Sequence, residues 1–522
     1  MPLDTSIQLW PDQANNSDAI KQAAAKQLGL QPSEIESIAI TRKSIDARKG
    51  KVKVNLGLRV FRKNEPSNQD NFTYKHQDVS TNQEVIIVGS GPAGLFAALR
   101  FIELGLKPII VERGNDVKTR KRDIAQLNRN KCFNPNSNYA FGEGGAGTFS
   151  DGKLYTRSRK RGSINRILNL LHIHGAQPEI LYEAHPHIGT NVLPKVIASI
   201  RKTIEDCGGQ FLFNSRVDDL IISNNKAAGV KLSDGRKIQG KAVVLATGHS
   251  ARDIYNMLWQ QNILLEAKPF AMGVRVEHPQ ELINSIQYHG PKNSKHLPAA
   301  TYSLVQQVKG RGVYSFCMCP GGYIVPAVSA DNEIVVNGMS PSLRNSPWAN
   351  SGIVVEVNIK DLPTTQGREA LAGLDFQVEM EHLAYKNKVG EGFVAPAQRL
   401  TDFVNGKHSS HLPTCSYQPG VSSSSIHSWL PESISVRLQE GFRLFDKKMK
   451  GFITNEAVVL AVESRTSSPV RIPRDETSLQ HVQIKGLYPC GEGAGYAGGI
   501  VSSALDGERC AESIAQWLGT NP

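Results

Sequence analysis

The sequence predicts an α/β protein whose central parallel-sheet domain is split along the chain, with an α+β domain inserted into it and a small α+β domain in front. Three observations predict this. Val85-Ile86-Ile87-Val88 is an apolar run of the kind a buried parallel strand shows, and it feeds directly into Gly89-Ser90-Gly91-Pro92-Ala93-Gly94. The period then changes to that of a helix, with Leu95, Ala98, Leu99 and Ile102 on one face up to a stop near Gly105, and Pro108-Ile109-Ile110-Val111 reads as a second strand. Far downstream, Gly486 to Gly493 places another short strand before a glycine turn, and a helix runs on through Ala504 to Leu518.

The first turn carries chemistry. Gly89 permits the tight bend, Gly91 lets a pyrophosphate approach the backbone, and Gly94 lets helix and strand pack closely. The phosphates then sit at the positive end of the helix dipole, over Pro92 and Ala93. Glu112 closes the second strand eighteen residues after Gly94, where a carboxylate can accept hydrogen bonds from both ribose hydroxyls of an adenosine, and Arg113 follows in the same candidate site. A GxGxxG alone is a weak signal; strand, helix and acidic residue together make it a dinucleotide site.

At 522 residues, two or three domains are expected. The composition is that of a globular protein, 40% hydrophobic and 21% charged with mean hydropathy −0.30. No apolar run approaches the length of a spanning helix, and the first residues lack a signal-peptide layout, so the expected location is cytoplasmic. Seven cysteines, scattered apart from Cys317 and Cys319, do not make a disulfide framework, and no metal-ligand spacing is found. The net charge of +12 is localised. Residues 41–63 carry nine Lys/Arg against one acidic residue, and 118–166 carry twelve against three. Such blocks are most often solvated surface; the functional readings are an anionic substrate, a nucleic acid or an acidic partner.

Residues 1–80 read as a small basic α+β domain, with a strand near Ile7 to Trp10, a helix over Ser17 to Leu28 capped by Asn16 or Ser17, and two strands around a Lys-rich turn at Gly50. A polar linker, 64–82, follows. Residues 81–264 form the first part of the cofactor domain. In it, Phe141 to Lys153 includes Gly144-Gly145-Ala146-Gly147-Thr148, so glycine-rich without low complexity that backbone pressed against an extended ligand is expected. A helix (Leu193 to Cys207), a strand and a β-meander beginning at Val217 lead to an apolar strand ending in Ala246-Thr247-Gly248. Residues 265–460 read as an inserted substrate domain with a mostly antiparallel sheet and helices near Arg368 to Lys386 and Pro431 to Lys450. Residues 461–522 return to the cofactor, with Gly491-Glu492 placed for a ribityl hydroxyl and Gly498-Gly499-Ile500 opening a second helix toward phosphate or the flavin's carbonyl edge.

Gly89 to Gly94, Glu112, Ala246-Thr247-Gly248 and Gly491-Glu492 together resemble the glutathione-reductase-like FAD/NAD(P)-binding superfamily. More narrowly, Phe141 to Leu154, Cys317-Met318-Cys319-Pro320-Gly321-Gly322, Asn337 to Ser340, Glu463 to Arg471 and Cys490 to Gly499 are similar to a bacterial family labelled "FAD-dependent dehydrogenase" or "NAD-utilizing dehydrogenase". The resemblance covers nearly the whole chain. It implies a split Rossmann-like FAD-binding domain and an FAD-dependent oxidoreductase, with Glu492 standing where many superfamily members carry Asp. Two features of flavin disulfide reductases are missing: only Cys132 lies between Gly89 and Ser150, and no second GxGxxG follows for NAD(P)H. NAD(P)H is therefore a transient reductant, if it serves, bound without a Rossmann domain of its own.

For chemistry the flavin accepts hydride or electrons, and the protein places a small substrate and manages one proton. Proton candidates are His185, His187 and His249. Arg465 is the anion-site candidate, with Ser467 and Ser468 placed to hydrogen-bond flavin or substrate, against a structural alternative in which arginine pairs with Glu463 or Asp475. Cys317 and Cys319 are expected on one face of a strand, near the long limit for a disulfide, with buried thiols favoured over a redox role. Two alternatives stand beside the oxidoreductase: a flavoprotein acting on or bound to RNA, and a flavin-binding interaction protein without turnover.

Overall fold

The computed structural model describes residues 1–520 except 49, 64, 66–71, 130–131, 157–161, 291–295 and 364–365. Seven residues of the expected linker 64–82, and residues 157–161 of the second basic block, lie outside the described residues.

The apolar run at Val85 to Val88 needs cover on both faces, and the fold provides it. The strand Glu84–Val88 is the middle of a five-stranded parallel sheet, flanked by Val243–Leu245 and then Leu487–Pro489 on one side and by Lys107–Val111 and then Gln210–Leu212 on the other. Val85 and Ile87 pack with the helices Pro92–Glu103, Leu193–Asp206 and Ile500–Leu518, while Ile86 and Val88 pack with the meander 217–239 and the helix Arg252–Gln260. The carboxy-terminal strand and helix thus complete a domain begun four hundred residues earlier in the chain. Gly94 is required at the crossing of first strand and helix: a Cβ there would lie 2.0 Å from the Gly89 carbonyl oxygen.

The inserted domain is built on a seven-stranded sheet in the order Val305–Val308, Arg311–Cys319, Trp348–Val357, Phe270–Pro279, Val458–Glu463, Ala395–Arg399, Val421–Ser423, antiparallel except for the last pair. The last two strands are short and rich in Ala, Pro, Gln and Ser, so they carry no alternating signal. Tyr323–Pro326 and Val336–Met339 form a hairpin of their own, not part of that sheet. The helix Glu432–Lys448 covers the sheet through Leu438, Phe442 and Phe445, which meet Phe452. The strand Val458–Glu463 runs three residues past the boundary expected at 460, so the insert's sheet ends directly beside Arg465.

In front, Leu3–Leu9, Lys53–Arg62 and Ile35–Asp46 form a three-stranded antiparallel sheet with the helix Ser17–Leu28 packed on it. Asn16 caps that helix, its side-chain oxygen accepting from Asp18 N–H at 2.9 Å and Ala19 N–H at 3.1 Å. This unit is anchored by backbone bonds from Lys43 N–H to the Tyr182 carbonyl and from Ala184 N–H to the Lys43 carbonyl. Among the described residues no helix is long and apolar enough to cross a membrane.

Candidate active site

The parallel strands all end on one edge of the sheet, and a cavity of about 460 Å³ opens there. Gly89, Gly91, Pro92 and Ala93 line it from the first turn, Glu112 and Arg113 from the second strand end, Gly145, Ala146 and Gly147 from the glycine loop, Val217 from the meander, Ala246, Thr247 and Gly248 from the end of the strand Val243–Leu245, and Glu492, Gly498, Gly499 and Ile500 from the return of the chain. Nineteen of the expected site residues, counting His249 and Arg465, therefore share one surface. Two helix N-termini meet at it, at Gly91 and Gly499, and neither has a side-chain cap, so both leave backbone N–H groups for a ligand.

Glu112 is more committed than its position at the strand end suggests. Its Oε2 accepts from Ser90 N–H at 3.0 Å and Ser90 Oγ at 2.6 Å, and its Oε1 accepts from Gly114 N–H at 2.9 Å and Gly142 N–H at 3.1 Å. The carboxylate thus knots the first turn, the second strand end and the glycine loop together, and a ribose hydroxyl must share it with the movable Ser90 hydroxyl. Arg113 packs its guanidinium over the Phe141 ring, 4.0 Å from the centroid, and pairs with Asp253 at 3.0 Å.

The glycine loop is shaped from inside by Arg120. This residue belongs to the second basic block, yet it is fully buried, and its guanidinium donates to the carbonyls of Asn138, Tyr139, Gly142, Glu143 and Gly145. Burial lowers its pKa to about 10. Gly142 has φ +109 and a Cβ there would come 2.5 Å from Arg120 Cδ, so only glycine admits the strut. Arg166 of the same block also points inward, pairing with Glu103 and with Glu508 at 2.8 Å. Arg120 and Arg166 thus depart from the solvated surface that the block's composition implies, while Lys118, Lys121, Arg122 and Arg129 are exposed as expected.

At the other end of the cavity the insert contributes. Phe316, Cys317, Asn337, Arg465 and Thr466 face Glu492 and His249, and Lys153 and Tyr155 close the side. Burial raises the Glu492 carboxyl to about 7, with the neighbouring Cys317 adding to the rise, while a Gly499 N–H bond works against it. His249 lies with Nε2 3.8 Å from Glu492 Oε1, and burial with the charges of Arg465 and Arg252 lowers it to about 4, so the ring is neutral. Its Nδ1 is buried with no partner among the described residues. Lys153 Nζ pairs with Asp151 at 2.9 Å, and Asp151 pairs again with Arg344 at 2.6 Å.

Several expected roles are not matched by position. Arg465 is not available to an anion: Nη2 lies 2.7 Å from Glu381 and 2.9 Å from Glu333, Nε 3.1 Å from Glu381, and Nη1 2.7 Å from Ser329 Oγ. Its partners are neither Glu463, which holds Arg275, nor Asp475, which organises a local turn through Thr477 and Ser478. Ser468 packs behind the cavity, donating to the Val470 carbonyl beside Tyr255, and Ser467 does not line the cavity; Thr466 does. His185 is exposed and packs in a tilted contact with Tyr155, the ring centroids 5.1 Å apart, while His187 is tied by Nε2 to the Ser342 carbonyl at 3.0 Å. Neither reaches the cavity wall. Gly94, Gly144, Thr148 and Gly491 stand one layer back, Thr148 Oγ1 donating to the Glu143 carbonyl and Gly491 N–H to Asp506. Cys490, Asp506 and Cys510 cluster as metal ligands would, but Arg474 holds Asp506 at 2.6 Å and sits 3.6 Å from Cys510, placing a cation there already. Asn337 and Cys317 escaped a ligand assignment because only tertiary structure brings them to the cofactor loops, whereas Lys153 and Tyr155 stand at the end of the glycine loop, which was read for its backbone alone.

A protein of Clostridium beijerinckii, described as an uncharacterized protein, is 40% identical over 518 residues, with 96% of each chain covered. This chain belongs to the same family. Within it, residues 269–466 match the model "FAD-dependent protein, C-terminal domain-like", 84–126 match "FAD binding domain", 193–303 match "Glucose inhibited division protein A", and 1–61 match a domain of unknown function. A thiamine thiazole synthase of Aeropyrum pernix is 27% identical over 183 residues, 32% of this chain and 55% of that one. A geranylgeranyl bacteriochlorophyll reductase-like protein of Thermoplasma acidophilum has a solved structure that aligns with TM-score 0.36 and 14% identity, covering 84% and 79% of the two chains. This chain is an FAD-dependent oxidoreductase of the FAD/NAD(P)-binding superfamily, and the residues lining its cavity fit FAD. The cavity is long enough to run from Glu112 to Glu492, two uncapped helix ends face it for the pyrophosphate and the ring, and ideal Cβ atoms at Gly248, Gly498 and Gly499 would meet nothing within 4 Å, leaving an open cradle.

Proposed function

We propose that this oxidoreductase holds the adenosine of FAD at the Glu112 end, the ribityl chain near Glu492 and the flavin ring under the insert, and that it oxidises or reduces a small polar substrate there, using a nicotinamide as transient reductant. The observation that supports the reading is that strand Arg311–Cys319 and the hairpin strand Val336–Met339 bring Phe316, Cys317 and Asn337 onto the same cavity as Glu492 and Gly498 to Ile500. Bound FAD supplies two-electron chemistry. The chain's own part is positioning and proton handling. Glu492, raised to about 7, exchanges its proton near neutral pH, and neutral His249 stands beside it, its Nε2 3.8 Å from Glu492 Oε1. Asn337 and Lys153 offer donors to the substrate, and because Asp151 balances Lys153, the pocket suits a polar molecule with one negative charge or none. Tyr155, half exposed at the rim, marks the entrance.

An anaerobic titration of the FAD-loaded protein with NADH and then NADPH, following the flavin's visible band, tests this. Stoichiometric bleaching by either nucleotide is expected. No bleaching with FAD demonstrably bound overturns the nicotinamide as reductant.

A further inference from the structure

Cys317 and Cys319 do not sit as residues two apart on a regular strand would. The ladder between Arg311–Cys319 and Trp348–Val357 pairs Phe316 with Gly352 but Cys319 with Asn350, so an irregularity falls at Cys317, whose φ is +46. The bulge leaves one extra residue in the strand and breaks the regular alternation of its side chains. The Cys319 thiol donates to the Cys317 carbonyl at 3.3 Å, so its sulfur is turned toward Cys317. The separation of two full strand rises, which would hold the sulfurs near the limit for bonding, therefore does not apply. Cys317 lines the cavity beside Glu492, and Cys319 lies buried behind it.

Two cations serve this pair. Lys153 Nζ is 4.0 Å from Cys319 Sγ, and Arg275 Nη2 is 3.6 Å from Cys319 Sγ and 3.0 Å from the Cys317 carbonyl. Each has its own carboxylate, Asp151 for Lys153 and Glu463 for Arg275 at 2.8 Å, and Glu492 faces the site across the cavity. Full burial of Arg275 and Cys319 keeps water from screening these charges.

From this geometry we propose that Cys317 and Cys319 form a redox-active thiol pair at the flavin end of the cavity, and that the substrate it serves is a disulfide. Cys317 is the outer, attacking sulfur. It displaces one thiolate from an external disulfide R–S–S–R, forming Cys317–S–S–R, and the released thiolate takes a proton. Cys319 loses its proton and displaces the second thiolate, which closes the Cys317–Cys319 bond and releases the second thiol. FAD, when bound and reduced, would supply the two electrons and two protons that return the pair to two thiols, its own electrons coming from a nicotinamide or another two-electron donor. The hydrogen bond from Cys319, followed by Lys153 and Arg275, overcomes burial and lowers the Cys317 thiol to about 5, whereas Cys319 is raised, which agrees with an outer thiolate and an inner thiol. The placement of the flavin ring rests on the function proposed above; the thiol pair does not.

The test uses the full-length protein with and without FAD. At pH 6.5 iodoacetamide is expected to alkylate Cys317 at least about tenfold faster than the exposed Cys132, in keeping with thiolate control of the reaction. In glutathione buffers of increasing oxidation, the peptide holding both cysteines is expected to lose two hydrogens, and C317S and C319A to abolish that change. Cys317 reacting no faster than Cys132, or no internal disulfide at any glutathione ratio, overturns the proposal without need of a variant. With FAD bound, nicotinamide reduction of the oxidised protein is expected to free two thiols per chain. Bleaching of the flavin without new thiols overturns the relay and leaves the nicotinamide reading intact. Absence of bleaching overturns that reading, while alkylation still decides the pair.

Discussion

Replacing Glu381 by Gln removes a negative charge from a buried cluster that ties the insert to the cofactor domain. Glu381 sits in the helix Ala372–Lys386 and is 0% exposed. Its oxygens accept from Ser464 Oγ at 2.6 Å and from Arg465 at 2.7 and 3.1 Å, and Arg252 Nη2 lies 2.7 Å away. Glu333 supplies the second carboxylate, 2.6 Å from Arg252 and 2.9 Å from Arg465. Burial opposes the charge on Glu381, but the two guanidiniums overcome it and hold the carboxyl down to about 2. Two cations and two anions balance; E381Q leaves an excess positive charge in the interior and turns an amide donor toward a guanidinium. Removing one partner of a buried ion pair costs about 3–5 kcal/mol, and because Glu333 still touches both arginines the lower end, about 3 kcal/mol, is expected. An unfolding unit on the order of 200 residues, the size of the insert, has an unfolding entropy of about 0.4 kcal/mol/K, so Tm should fall by about 7 °C. Differential scanning calorimetry of the FAD-loaded protein reads this, and R465M/E381Q, which restores the charge balance between Arg252 and Glu333, should be no less stable than E381Q. A Tm change under about 2 °C for E381Q, or fully additive losses in the double variant, would refute the view that this quartet is a coupled junction.

Three further outcomes follow from the site. G94A should leave the insert folded yet abolish FAD retention, because the new methyl would overlap the Gly89 carbonyl at 2.0 Å; circular dichroism together with flavin absorbance after gel filtration separates the two effects. R120M should release flavin and lower Tm, since each buried carbonyl left unpaired costs about 1–3 kcal/mol and Arg120 serves five; equal flavin affinity in the variant would exclude the strut. Glu492 has a folded-state pKa raised from 4.5 to about 7, so the folded protein binds the extra proton and its stability falls as pH rises through that window. The apoprotein should therefore lose stability relative to E492Q between pH 5 and 7.5, the raised carboxyls of Glu277 and Glu463 cancelling in the comparison; parallel Tm curves would contradict the assignment.

The local part of this fold was legible in the sequence. Strand, turn, helix and strand from Val85 to Val111 obey spacing rules that operate within a few residues, and the Ala-Thr-Gly and Gly-Glu turns declare themselves by composition. What the sequence hid depends on distant partners. Arg465 read either as an anion site or as the partner of Glu463 or Asp475, because its actual partners Glu333 and Glu381 lie 132 and 84 positions away. Arg120 was hidden inside a basic block, its role set by carbonyls of a loop that returns only when the parallel sheet forms. Cys317 and Cys319 were placed by assuming a regular strand, and a bulge removes that regularity. His185 and His187 carried the expected chemistry but sit where the chain passes behind Tyr155 and Ser342, outside the cavity.

If the loops from Gly89 to Gly499 form one FAD site, denaturing the purified protein, identifying the released flavin and counting it per chain will show it. One FAD per chain, lost on G94A and restored by reconstitution of the wild type, is the predicted result. A colourless protein that takes up no FAD on reconstitution, or that binds FMN in its place, would contradict it.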